Sequence, residues 1–209
     1  MFTDRKEAGQ ALADQLKKYQ NEEGVVLAIP RGGVPIGHEI AEALDWPLDL
    51  VLSKKIGHPT NKEFAIGAVS LNGYVVNQDL QVPKDYLETE IARVRETLRN
   101  NYHKYLHEQD PLIITNKTVI ITDDGVATGH TLLSVIDLIR KDKPRKLIVA
   151  VPVSAKEAIH KIKQQADEVI CLSVPDEFRA VGQFYQDFNQ VEDQEVAALL
   201  HDRRHFEAR

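Results

Sequence analysis

The sequence contains one cysteine, Cys171, in 209 residues. No intrachain disulfide and no thiolate metal cluster can form, and a reducing cytoplasm is the expected compartment. Basic residues are also short: 26 Lys and Arg against 32 Asp and Glu give a formal net charge of −6. Without a cationic excess, a general nucleic-acid or membrane-surface role is not expected. A small phosphorylated ligand remains open, because its charge can be met locally. The opening residues, MFTDRKEAGQ, lack an apolar signal core. No apolar run approaches the length of a membrane span. There is no GxSxG elbow, no HExxH, no internal repeat and no low-complexity linker. Residues 1–209 are therefore expected to form a single domain, with 175–192 as a small appended segment.

Apolar patterning supplies the elements. Asp4 and Glu7 have the spacing of a capping box, and Ala8, Leu12, Leu16 and Tyr19 share a helical face that Gly24 should end. Val25–Ile29 is a short continuous apolar run, as expected of a strand buried on both faces; Leu48–Leu52 and Thr118–Thr122 read as further buried-type strands, and Leu147–Val151 and Val169–Val174 as strands. Helices are predicted over residues 35–44, from about 130 through Arg140, over Ala155–Gln164 and from Asp193. Ala65–Leu71 and Tyr74–Val76 flank Asn72-Gly73, which predicts a two-residue hairpin. Asp85–His107 reads as a long helix with an apolar stripe of Leu87, Ile91, Val94, Leu98, Tyr102 and Tyr105, facing a core or a dimer interface. Lys54–Phe64 reads as a mobile loop. Alternating buried strands and helices predict an α/β fold, a mostly parallel sheet covered on both faces. Ligands of such folds sit beyond the carboxyl ends of the strands. Pro30–Gly33, Lys54–Phe64 and Asp123–Thr131 all start there.

Val119–Thr131, VIITDDGVATGHT, carries the most chemistry. Asp123 and Asp124 leave a buried strand together, and adjacent carboxylates are costly unless donors or a cation satisfy them. Two vicinal ribose hydroxyls would do so, and a nearby magnesium ion would help. Gly125 and Gly129 allow a tight path with backbone N–H groups turned inward, a nest for an anion. Thr128 and Thr131 add hydroxyls, and a following helix N-terminus favours phosphate. Acceptors for sugar hydroxyls thus stand a few residues from donors for a phosphate. Two nucleotide motifs fail: Gly125-x-x-x-Gly129-His130-Thr131 is one residue short of a P-loop and lacks its lysine, and Gly32-Gly33-x-x-x-Gly37 lacks dinucleotide spacing.

The thirteen-residue segment resembles the signature of type I phosphoribosyltransferases. AIPRGGVPIG, KKIGHPTNKEFAIGAVS and VPDEFRAVGQFYQDFNQV extend the resemblance over roughly residues 1–195, to a bacterial and archaeal branch of unassigned substrate. It implies the type I core with an inserted hairpin and long helix and a small C-terminal hood. The implied reaction moves phosphoribose from 5-phosphoribosyl-1-pyrophosphate to a nitrogen nucleophile, a nucleobase in most members, with magnesium and commonly as a homodimer. Asp123 and Asp124 would hold the ribose hydroxyls, and could hold the metal only through substrate or water. Gly125, Val126, Ala127, Thr128, Gly129, His130 and Thr131 would form the phosphate cradle, with His130 contributing its backbone. Arg31, Gly32 and Gly33 match the pyrophosphate loop, where small residues admit the backbone and arginine supplies charge. Lys54 and Lys55 would end the second strand and approach the pyrophosphate. Residues 56–64 would close as a hood, with His58 and Lys62 as candidate charges. The aromatics of the C-terminal segment, Phe184 and Tyr185 first, are candidates to stack on a base, with Phe178 and Phe188 beside them and Arg179 and Asp187 for polar specificity.

One position departs from the pattern. Hypoxanthine–guanine enzymes carry Asp before Thr-Gly-x-Thr, and here it is Ala127. That argues against the same proton chemistry and leaves the acceptor open. A non-catalytic sensor of 5-phosphoribosyl-1-pyrophosphate is the alternative, and a phosphoribosyl-handling enzyme of another reaction type is a third. The pairs His103/His107 and His201/His205 lack a third ligand and are not expected to bind zinc. Cys171 is expected to be structural.

Overall fold

The computed structural model describes residues 1–77, 79–80 and 82–204. Five parallel strands form the central sheet in the order β2-β1-β6-β7-β8. They are β1 (Gly24–Ala28), β2 (Leu48–Leu50), β6 (Thr118–Thr122), β7 (Lys146–Val153) and β8 (Glu168–Ser173). The apolar runs are buried on both faces because helices cover both. Val26, Ala28 and Ile120 face a cluster built by α1 (Arg5–Leu16), α2 (Gly33–Leu44) and α6 (Asp193–Arg204). Val25, Leu27, Val119 and Ile121 face α4 (His130–Lys141) and α5 (Lys156–Lys163). No helix among the described residues is long and apolar enough to cross a membrane.

A second, antiparallel sheet contains β3 (Ser53–Gly57), β4 (Ala65–Ser70) and β5 (Tyr74–Val76). It packs on α3 (Lys84–Leu106), where Ile56, Ile66 and Val69 meet Ile91, Val94 and Leu98. The stripe predicted on α3 is therefore a core face. Its lower end, Tyr102 and Leu106, joins the main core. Tyr102 donates its hydroxyl to Asp49, a fully buried carboxylate on β2, at 2.8 Å. The other Asp49 oxygen accepts the Leu112 N–H at 2.8 Å.

Several expectations change. Leu48–Leu52 yields a strand of only three residues, and the chain then enters β3. Lys54 and Lys55 lie inside β3 rather than at the end of the second strand, and the loop shrinks to 58–64. Their polarity reflects an exposed edge strand, whose backbone pairs with β4 from Ser53↔Ser70 to Gly57↔Ala65. The hairpin turn centres on Leu71 and Asn72, one residue early. Ser70 closes it, its N–H donating to the Gly73 carbonyl at 2.8 Å and its hydroxyl accepting the Gly73 N–H at 3.0 Å. Gly24 opens β1 rather than ending α1, because the Trp46 ring occupies the space a side chain there would need.

Asp49 supplies a test of how the edge strand is held. Tyr102→Phe removes a donor from a buried carboxylate, so stability should fall by about 1–3 kcal/mol. A urea midpoint equal to wild type at unchanged slope would refute this.

Candidate functional site

The loops after β1 and β6 touch at the carboxyl end of the sheet. The Ile29 N–H donates to the Thr122 carbonyl at 3.0 Å. A Cβ at Gly32 would lie 2.0 Å from Asp124 Oδ2, and one at Gly33 would lie 2.8 Å from the Thr122 carbonyl. Glycine is required here by the neighbouring acidic loop. The Pro30–Arg31 peptide between β1 and these glycines is cis.

Asp123 and Asp124 stand at the centre. The Asp123 Oδ1 atom accepts the Asp124 N–H at 2.8 Å. Burial, then the adjacent Asp124 charge, push the Asp123 carboxyl well above the usual range. Burial also raises Asp124, and Arg5 opposes that rise. Arg5 donates to Asp124 Oδ2 from Nε at 3.0 Å and Nη2 at 2.8 Å, with both side chains largely shielded at 13 % and 15 % exposure. Its Nη1 donates to the Asn189 carbonyl at 2.7 Å, and its guanidinium lies 4.0 Å from the Phe188 ring centroid. The sequence reading missed Arg5. A lone arginine after an N-cap carries no local signal, and its partner is 119 residues away.

The loop after β6 hangs from the end of β7. The Val126 N–H donates to the Val153 carbonyl, and the Ala155 N–H donates to the Val126 carbonyl, both at 2.9 Å. Gly129 then takes φ +77°, a left-handed turn that starts α4. Ala127, Thr128, His130 and Thr131 border this turn, and all but Ala127's neighbour Val126 and the Gly129 backbone face outward. Among the described residues no backbone acceptor takes the N–H of Ala127, Thr128, Gly129, His130 or Thr131. Five amides and two threonine hydroxyls are thus grouped at a helix N-terminus, the donor set an anionic oxygen needs.

Other predicted residues fall elsewhere. Arg31 is drawn toward α6: it donates to the Gln190 carboxamide oxygen at 2.8 and 3.2 Å and lies 3.7 Å from Asp193. The side chains of Lys54 and Lys55 are exposed on β3 and make no hydrogen bond or ion pair to a described residue. Lys55 faces a cavity of about 390 Å³ shared with Ser134 and Asp137 of α4. Tyr185 is buried, donates its hydroxyl to the Asp124 carbonyl at 2.6 Å, and has Phe2 and Phe188 against its ring. Its ring is committed to packing, so the expected base contact does not fit Tyr185. Phe184 is half-buried against Phe178, with ring centroids 5.5 Å apart. Phe2 and Thr3 pair with the same segment: the Phe2 N–H donates to the Phe184 carbonyl, and the Phe2 and Thr3 carbonyls accept from Gln186 and Asp187, each at 2.8 Å. Among the described residues His103 and His107 gather no third ligand, and His205 lies outside them.

The sequence profile of the phosphoribosyl transferase domain matches residues 3–189. The chain belongs to this family. A Mycobacterium tuberculosis protein named "Putative phosphoribosyl transferase" is 36% identical over 210 residues, covering 98% of this chain and 47% of its own length. The chain therefore spans about half the length of the curated relatives it matches. The crystal structure of TT1426 from Thermus thermophilus superposes with a TM-score of 0.86 at 40% identity, covering 97% of this chain and 99% of that one. A uracil phosphoribosyltransferase of Mycoplasma genitalium is 40% identical over 78 residues, 37% of this chain and 36% of its own. The matched span of this phosphoribosyl transferase domain starts just before Arg5 and ends at Asn189, so it includes both anchors of the Asp124 clasp.

Arg5→Met tests that clasp. The folded-state pKa values of Asp123 and Asp124 lie above the unfolded ones, so the pair costs stability as pH rises through that window. Arg5 offsets the cost for Asp124. Its removal should lower stability by about 1–3 kcal/mol near neutral pH, and by less near pH 5. Denaturant midpoints for both proteins at the two pH values read this, and an equal loss at both would contradict it.

Proposed function

We propose that the protein transfers the phosphoribosyl group of 5-phosphoribosyl-1-pyrophosphate to a nitrogen nucleophile and releases pyrophosphate. One observation carries this reading. A single strand–turn–helix presents the carboxylates of Asp123 and Asp124 and, three residues on, a run of unpartnered amides, while the Arg31–Gly33 loop packs against Asp124. The acids suit the two ribose hydroxyls, the amides of Ala127–Thr131 suit the 5′-phosphate, and the glycine loop suits the pyrophosphate.

The donor set also fits magnesium. Asp123 and Asp124 offer only oxygen ligands, and among the described residues Arg5 is the one cation bonded to them. The two acids would hold the ion through ribose hydroxyls or water, and magnesium would supply charge stabilisation on the departing pyrophosphate. The chain's own residues do the rest. Asp124, oriented by Arg5, fixes the ribose. The loop amides fix the phosphate, and Arg31 turns from Gln190 to the diphosphate. Lys54 and Lys55 reach it as the 58–64 loop closes and excludes water from a cationic sugar. The acceptor is nucleobase-like.

A second reading, a sensor that binds the same ligand without turnover, is favoured by the resting position of Arg31, which is engaged with Gln190 and Asp193. One experiment separates the two. With 5-phosphoribosyl-1-pyrophosphate and magnesium, the transferase releases pyrophosphate when offered a suitable member of a nucleobase panel. The sensor is thermally stabilised by the ligand and turns over none. Asp123→Asn combined with Asp124→Asn should abolish most ligand-induced stabilisation while the unliganded protein stays folded. Retained affinity in that variant would remove the ribose assignment.

A further inference from the structure

Beyond its first turn α2 carries His38, Glu39 and Glu42. Spacings of four and three residues bring His38 and Glu39 beside Glu42 on the helix surface. One possible ligand atom from each lies within 4.8 Å of those of the other two.

Glu39 is the decisive member. Its side chain is only 10 % exposed. Helix α1 packs across it so closely that a Cβ at Gly9 would lie 2.9 Å from the Glu39 Cβ. Gln10 donates to its Oε2 at 2.9 Å. Its Oε1 accepts no hydrogen bond from a described residue and lies 3.7 Å from His38 Nδ1. A carboxylate so shielded ordinarily has a cation. Glu90 and Asp124, at 12 % and 15 % exposure, each have an arginine. Among the described residues no lysine or arginine forms an ion pair with Glu39, Glu42 or Asp202.

His38 makes a second, independent point. Its Nε2 lies 2.8 Å from Asp202 Oδ2 on α6. A carboxylate only accepts, so Nε2 carries a proton. A neutral ring then keeps its lone pair on Nδ1, the atom that faces Glu39. Carboxylate, imidazole and open lone pair in that order are how proteins orient a metal-binding histidine.

From these observations we infer that His38, Glu39 and Glu42 bind a divalent transition-metal ion of the zinc class. The ligands are His38 Nδ1, Glu39 Oε1 and one Glu42 oxygen, with water completing the shell. One imidazole with two carboxylates suits zinc better than magnesium, which prefers oxygen throughout. The ion meets the charge of two carboxylates that the fold leaves without a cation. It also fixes His38 against Asp202 and so ties α2 to α6. No ligand comes from Asp123–Thr131, so this ion is distinct from the magnesium of the transferase reading.

Titration calorimetry of the metal-free full chain with Zn2+, and separately with Mg2+, tests this, with melting temperature followed in parallel. Zn2+ should bind saturably, with at least about hundredfold higher affinity than Mg2+. It should raise the melting temperature by about 5 °C or more once free zinc is about a hundredfold above Kd. Glu42→Gln should weaken zinc binding by about tenfold or more. Its melting temperature in EDTA should equal that of wild type, because the Glu42 carboxylate is exposed and makes no hydrogen bond to a described residue. Glu42→His, which returns a ligand at the same helical position, should restore binding. Asp202→Ala should weaken it by about tenfold, acting through His38. Asp123→Asn combined with Asp124→Asn, and separately His103→Gln, should leave zinc affinity unchanged. No saturable zinc binding, zinc and magnesium bound alike, full affinity in Glu42→Gln, or binding lost with Asp123 and Asp124 or with His103 overturns the inference.

Discussion

Two adjacent carboxylates at the end of a buried strand are the constraint around which the molecule is arranged. Burial raises the pKa of both Asp123 and Asp124, and the Asp124 charge adds to the rise at Asp123. Holding both carboxylates at one strand end obliges the fold to supply compensation. Arg5 provides it at two hydrogen bonds, and the remainder of the guanidinium is fixed by the Asn189 carbonyl and the Phe188 ring. The absence of side chains at Gly32 and Gly33 follows from the same crowding. So does the burial of Tyr185, whose hydroxyl holds the Asp124 carbonyl.

This arrangement divides the work by distance along the chain. The acidic pair and the run of unpartnered amides are almost wholly local: strand β6, the turn after it and the first turn of α4. The surface beside them is assembled from α5 and the segment after β8, which share no motif with the turn. A family can keep the first while altering the second, which is how one scaffold serves several acceptors.

The same division explains what could be read from sequence. Thr118–Thr122 was bounded correctly because a strand buried on both faces is a short apolar run between polar residues. The helix faces of α1 and α3 were legible from periodicity. β3 was not, because an edge strand with Lys54 and Lys55 outward has the composition of a loop and is defined by its pairing with β4. Asp49 carries no signal of its own within Leu48–Leu52, yet it is a fully buried junction of β2, α3 and the chain at Leu112. Arg5 and Tyr185 were invisible as partners of Asp124, since only the folded chain brings residues 5, 124 and 185 together. Local chemistry announces itself in sequence, whereas compensation for that chemistry usually comes from far away.

The pairing of Phe2 and Thr3 with residues 184–187 has a consequence for the order in which the protein matures. During synthesis the central strands β1, β2, β6 and β7 are available well before residue 184 leaves the ribosome, and a parallel core of that size can begin to collapse. Arg5 is made well before its carbonyl and aromatic supports at 188 and 189. Until they emerge, Asp124 has a scaffold and no fixed counter-charge. Asp124 thus reaches its final environment only after the rest of the sheet, so a nascent chain can hold its fold before the surroundings of this acid are complete.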